Sequence, residues 1–167
     1  WTRYESPYTL KDVTRYGLGA RGIDFIQAKT SIQVSNGNEV SNTGTLQAAQ
    51  YPIYDSHGNM VNTLSRASSN SFALGSSTYR YYDAWGGLDT GPGAGNEPRQ
   101  RYCANLGHLQ DDESGLIYMR ARYYEPGTGR FVSEDPEGDG PNWYAFCNSS
   151  PVTHVDPSGK AIADIGM

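Results

Sequence analysis

The sequence is poor in cysteine: two residues in 167, with no C-x-x-C spacing. That excludes a disulfide framework and a cysteine-based zinc site. Cys103 and Cys147 leave two readings open, a single disulfide or two buried thiols acting as small apolar groups. No apolar run approaches the ~18 residues that a membrane-spanning helix needs. Cations are in deficit, with 13 Lys and Arg against 18 Asp and Glu and a net charge of −5. Without a basic stripe to displace phosphate counterions, a nucleic-acid partner is not expected. Apolar residues recurring at helical spacing are missing too, so helix should be scarce. His57, His108 and His154 are scattered, with no carboxylate or nucleophile at catalytic spacing. The glycine-rich 91–95 stretch lacks the Lys and the strand-to-helix setting of a phosphate loop. Neither a cofactor nor a metal site is expected.

What is abundant is tyrosine, 13 residues against four Phe and three Trp, together with 20 Gly and nine Pro. Tyr, Thr, Val and Ser broken by glycines favour many short strands joined by turns. Hydrophobic residues make up 37% of the chain. Tyr-rich strands bury their rings and leave hydroxyls at a wet boundary. A mainly β chain of antiparallel hairpins in a thin shell follows, of one domain's length. The turn at Ser35-Asn36-Gly37-Asn38 and a second at Asp55 to Asn59 punctuate it. Ile23 to Val34 reads as two strands or one bent near Lys29. Asn42 to Gln50 reads as a loop or edge strand. Ser65 to Ser77 reads as a loop with Phe72 and Leu74 turned inward.

The most informative stretch is Gly115 to Pro136. Leu116 to Tyr124 is dense in strand formers, and a strand points i and i+2 to one face, so Arg120 and Arg122 should share a side. Glu125 to Gly129 is turn chemistry, Arg130 to Val132 resumes an extended run, and Pro136 ends it. Cross-strand pairing of the arginines with Glu125, Asp135 or Asp111 is the plain structural expectation.

The pattern Arg120-x-Arg122-Tyr123-Tyr124-Glu125-Pro126, with Gly129-Arg130-Phe131 and Asp135-Pro136, resembles the RHS-repeat-associated core of the RHS/YD-repeat family. The match continues through Asn142 to Phe146, a stretch expected to form a short helical turn, and through Val155-Asp156-Pro157-Ser158-Gly159. Tyr54-Asp55 and Tyr82-Asp83 are similar to YD repeats. The resemblance implies a β-spiral shell segment over 1–160, most specific over 115–159, with 161–167 as a tail. It implies the C-terminal portion of a larger precursor, secreted or at the surface of a bacterial cell. Its partners would be other copies of itself or the rest of the precursor shell.

Three functions follow. The first is a structural scaffold. The second is a fibre subunit, since a slice of β-spiral exposes strand edges that template pairing. The third is an aspartyl self-cleaving domain. Two Asp-Pro-x-Gly units, at Asp135 and Asp156, resemble a self-cleavage pair, with Arg122 as the third member. Two carboxylates held close cannot both ionise easily, so the pair can act as base and acid on a water and a peptide carbonyl. The family's cut falls after a Leu, where this chain has Lys160. Against the catalytic reading, Asp-Pro-x-Gly is also a natural type I turn. Asn148-Ser149-Ser150 fits a glycosylation pattern at Asn148.

Overall fold

The computed structural model describes residues 9–19, 22–35, 38–41, 46–68, 71–75, 79–91, 98–138 and 140–165. The Asn36-Gly37 turn lies outside them. Six strands form one antiparallel sheet: β1 Thr9–Gly19, β2 Gly22–Ser35, β3 Asn38–Ser41, β4 Leu46–Tyr54, β5 Met60–Ser68 and β6 Ser71–Leu74. Their order is β1-β2-β4-β5-β6, with β3 also on β2. Ile23 to Val34 proves to be a single strand. Its register against β4 shifts between Ala28 and Lys29, at the position where the sequence leaves open a break or a bend. Leu46–Tyr54 is an interior strand, because β2 and β5 hydrogen-bond to it from both sides. Ladder pairing overrides its weak local preference. The same pairing corrects the loop expected over 65–77. Ser65 to Ser68 continue β5, and β6 pairs with it. Phe72 and Leu74 are exposed rather than tucked inward.

Beyond residue 79 the strands shorten. β7 Tyr81–Tyr82 and β8 Leu88–Thr90 form a hairpin. β9 Leu109–Gln110, β10 Ile117–Met119, β11 Arg122–Glu125 and β12 Arg130–Phe131 make a four-stranded sheet in the order β12-β11-β10-β9. β13 His154–Val155 pairs with β14 Ala163–Asp164. Helix is limited, among the described residues, to two 3-10 turns, Ala104–Leu106 and Cys147–Ser149. The chain is mainly β with antiparallel hairpins, as the composition indicates. No helix forms over 142–146, where a short helix or helical turn was expected; a single turn closes from Ala145 N–H onto Asn142 O at 3.1 Å, and Ala145 bridges to Arg130 of β12.

One correction bears on the site. The run Leu116 to Tyr124 is two strands, turned between Met119 and Arg122, which pair with each other. Arg120 sits at φ 63, in the left-handed region, which costs a non-glycine residue roughly 1–2 kcal/mol. Ala121 N–H donates to Met119 O at 2.8 Å and to Ser158 O at 3.1 Å. Gly159 (φ 72) lies so close that a Cβ there would overlap the Met119 carbonyl. The 158–159 segment thus braces a turn that carries no Gly or Asn of its own. Arg120 and Arg122 consequently point apart, one exposed and one buried.

The larger core gathers Tyr102, Ile117, Met119, Tyr124, Phe131, Phe146, Val155 and both cysteines. Ile23, Ile26, Met60 and Ala104 form a smaller one under the long sheet. Tyrosines behave as their chemistry suggests. Tyr102 donates to Ala84 O at 2.9 Å, and Tyr124 to Trp85 O at 2.7 Å. Burial pushes both hydroxyls above their ordinary titration range.

Candidate active site

β11 places Arg122 with its side chain inward, 4% exposed, its guanidinium 3.6 Å from the centroid of the Phe131 ring. Nη1 donates to Trp143 O at 2.9 Å, and Nε donates to Gly159 O. Nη2 faces Asp135 Oδ2 at 3.4 Å and Asp156 Oδ2 at 3.6 Å. One planar fork therefore holds two carboxylates and two backbone carbonyls, a use of Arg that Lys could not reproduce. Burial lowers the Arg122 pKa from its usual value, and Asp135 and Asp156 oppose that shift.

The two acids come from turns of the kind their motifs suggest. Asp135 Oδ1 accepts the Glu137 N–H at 2.9 Å, and Gly138 N–H closes onto Asp135 O at 3.1 Å. Asp156 does more. Its Oδ1 accepts N–H groups from Ser158 (3.1 Å), Gly159 (2.8 Å), Lys160 (3.1 Å) and Ala161 (3.2 Å). Asp156 is 2% exposed. Turn-forming and site-forming roles coexist here: the same carboxylate shapes the loop with one oxygen and meets Arg122 with the other.

The sequence-predicted trio is thus brought together, and Lys160 lies beside it. The Gly159–Lys160 peptide unit is held at both ends, its carbonyl by Arg122 and its N–H by Asp156. Arg122 pairs with Asp135, one of the acids expected for it, although Asp135 lies in the turn beyond β12 and not on a facing strand. Arg120 instead donates to Pro157 O and Leu106 O, each at 3.0 Å, clamping the Asp156 loop from outside. His108 is buried against the same loop, beside the Pro157 carbonyl. Neither of its ring nitrogens completes a hydrogen bond. Burial lowers its pKa to about 4, with Arg120 adding to the shift and Pro157 opposing it. Sequence reading missed His108 and Arg120 as loop supports, because 49 and 37 residues respectively separate them from Pro157 and no motif joins them.

Other candidates lie elsewhere. Cys103 and Cys147 are both buried free thiols, so the disulfide reading is not realised in this structure. Burial raises both pKa values, Cys147 to about 12. His57 Nε2 faces Pro151 O at 2.5 Å; a carbonyl only accepts, so that nitrogen donates. Its Nδ1 lies 3.6 Å from the Cys103 sulfur. Asn148 is exposed at φ 49. No cluster of three or more metal-ligating side chains occurs among the described residues. No helix among them is long and apolar enough to cross a membrane.

No family model matches the chain. It is 39% identical over 113 residues to the tRNA nuclease WapA of Bacillus subtilis, across 64% of this chain and 4% of that protein. It is 48% identical over 58 residues to the toxin protein Tse5 of Pseudomonas aeruginosa, across 34% and 4%. To the probable deoxyribonuclease RhsB of Dickeya dadantii it is 39% identical over 84 residues, across 49% and 6%. The crystal structure of TcdB2-TccC3 superposes with a TM-score of 0.63 at 26% identity, over 92% of this chain and 7% of that one. The chain is RHS-like. The RHS-like chain spans about 4% of the length of the WapA protein it matches. These relatives are named for toxin and nuclease activity. That overturns the expectation of a structural scaffold or fibre subunit drawn from the sequence.

Proposed function

We propose that the RHS-like chain is a portion of a large bacterial nuclease toxin, secreted or carried at the cell surface. Within it, Arg122, Asp135 and Asp156 cut the toxin's own backbone beside Lys160. The toxin and nuclease names of the relatives support the first part. The second rests on one observation: Asp135 and Asp156 meet at one Arg122 nitrogen while Asp156 holds the amides on both sides of Lys160.

The chemistry is hydrolysis by a carboxylate pair carrying one proton between them. One carboxylate takes a proton from water as its oxygen bonds to the peptide carbon. Arg122 stabilises negative charge developing on the carbonyl oxygen, a task suited to a fixed cationic donor in a dry site. The other acid delivers its proton to the leaving nitrogen, and the C–N bond breaks. Asp156 holds the bond in place for that step, since its Oδ1 accepts the N–H groups of Lys160 and Ala161. Asp135, 10% exposed at the side chain, is the member nearer to water.

The test is intact-mass measurement of the full 167-residue chain over time, beside Asp135→Asn and Asp156→Asn. The wild type should yield a fragment ending at residue 159 or 160, and both variants should stay whole. Identical fragments from all three proteins would sink the cleavage reading. Incubating the parent toxin with tRNA and with duplex DNA tests the nuclease assignment, and no loss of either polymer would overturn it.

A further inference from the structure

The two acid-bearing turns are joined inside the protein by Arg122. They are also joined outside it. Lys160 Nζ contacts Glu137 Oε1 at 2.8 Å, a charge-assisted hydrogen bond between the third residue of the Asp135 turn and the residue that follows the Asp156 turn. Both side chains are exposed, Lys160 at 45% and Glu137 at 58%. An exposed pair of this kind adds little to stability, since water and salt screen it. Any larger consequence must lie in what it positions, and here it positions residue 160. That residue's own N–H and the next one both sit on Asp156 Oδ1. Arg122 fixes the Gly159 carbonyl relative to the first turn from inside, and the Glu137 contact fixes the Lys160 side chain from outside.

The geometry points to Glu137–Lys160 as a latch that selects a cation at position 160 and holds the adjoining peptide bonds on the Asp135–Asp156 pair. The inference rests on the self-cleavage reading and adds its specificity element. An apolar anchor selects its residue by burial. This one selects by charge, so it tolerates solvent and responds to salt. Glu137 also lies one residue beyond Pro136, whose ring fixes a backbone dihedral in the Asp135 turn. The latch therefore pulls on a stiff segment rather than on a loose loop. Asp135 adds a second negative charge in the same direction, since it too raises the Lys160 pKa, after Glu137.

The test uses the full chain carrying Glu137→Lys, Lys160→Glu, or both. Each single reversal places like charges together and should slow cleavage about fivefold, the scale an exposed ion pair supports. The double exchange re-forms the pair in reverse and should return the rate to within about twofold of the wild type. Thermal midpoints of all four proteins should coincide, which separates positioning from folding. Rising salt should slow the wild type toward the singles, because exposed charges are screened. Equal rates in all four, or a double exchange no faster than the singles, overturns the latch. A second readout does not need cleavage. In an Asp135→Asn background, the Lys160 ammonium is titrated by NMR with Glu137 present and with Glu137→Gln. A lower midpoint in the Gln form supports the latch, and an unchanged midpoint overturns it. A wild-type chain that stays whole removes the proposed function, and this titration then decides the latch alone.

Discussion

The long sheet of residues 9–75 and the module of residues 98–165 are built on opposite plans. The sheet has strands of up to 14 residues, and its buried apolar side chains among the described residues are Ile23, Ile26 and Met60, which pack with Ala104 of the module. Its order comes from the backbone ladder, which repeats and asks little of any one residue. The module has strands of two to four residues. Too short to hold themselves, they are fixed by a dense aromatic core and by side chains reaching backbone carbonyls far along the chain. Tyr102, Tyr124, Phe131 and Phe146 stack or tilt against one another at centroid distances between 4.2 and 6.4 Å. The difference teaches where chemistry can be placed. A ladder fixes strands relative to strands, whereas only interlocked side chains fix two turns relative to one guanidinium.

Core truncation should show this contrast most strongly. Phe146→Ala removes a ring that is 1% exposed and should cost about 4 kcal/mol in urea unfolding. Phe72→Ala, on the exposed face of the sheet against Tyr51 at 5.9 Å, should cost about 1 kcal/mol or less. Comparable losses at the two positions would break the comparison.

Acid should separate the regions next. The folded-state pKa of His108 is depressed, from 6.5 to about 4. Its neutral burial thus contributes stability above pH 6.5, and that contribution is lost as pH falls toward 4, where the unfolded chain takes up the proton first. The loss should be on the order of 3 kcal/mol. His108→Leu should flatten that part of the profile, read as urea midpoints at pH 7 and pH 4.5.

A smaller effect is expected at Gly129 (φ 68), where a Cβ would lie 2.8 Å from the Trp85 ring. Gly129→Ala should destabilise by about 2 kcal/mol, through left-handed strain and a displaced indole. Thermal unfolding followed by tryptophan fluorescence would report both. At the weak end, thiol labelling should be slow in the native chain and fast in urea, because burial raises the pKa of Cys103 and Cys147. Rapid native labelling would mean that the core opens more readily than its packing implies.

Much of the site was legible in the residues. Asp135, Asp156 and Arg122 were named from the resemblance to the RHS core, and they converge. The reading failed where it assumed that a run of strand formers is one strand. Met119-Arg120-Ala121-Arg122 carries no turn signal, yet it turns, because residues 158–159 arrive from beyond the motif and satisfy its backbone. Arg120 was therefore assigned the wrong face. The loop or edge strand expected at 46–50 and the loop expected at 65–68 and 71–74 failed for a related reason: neighbouring strands supplied hydrogen bonds that local composition does not announce. The scaffold reading failed differently. An abundance of tyrosine and turns describes architecture, and architecture does not name the activity of the larger protein it serves.

The sequence by itself determined the β class and the turn positions at Asp55, Asp135 and Asp156; the acid cluster came from the family resemblance. Class and turn positions depend on side-chain type and short-range backbone preference, which a linear reading can see. Tertiary structure alone decided that Arg122 is buried while Arg120 is not. It also decided that both carboxylates share one nitrogen and that Lys160 reaches back to Glu137. Those outcomes depend on segments 13 to 34 residues apart meeting in a core whose packing admits one arrangement, and no local pattern encodes that meeting.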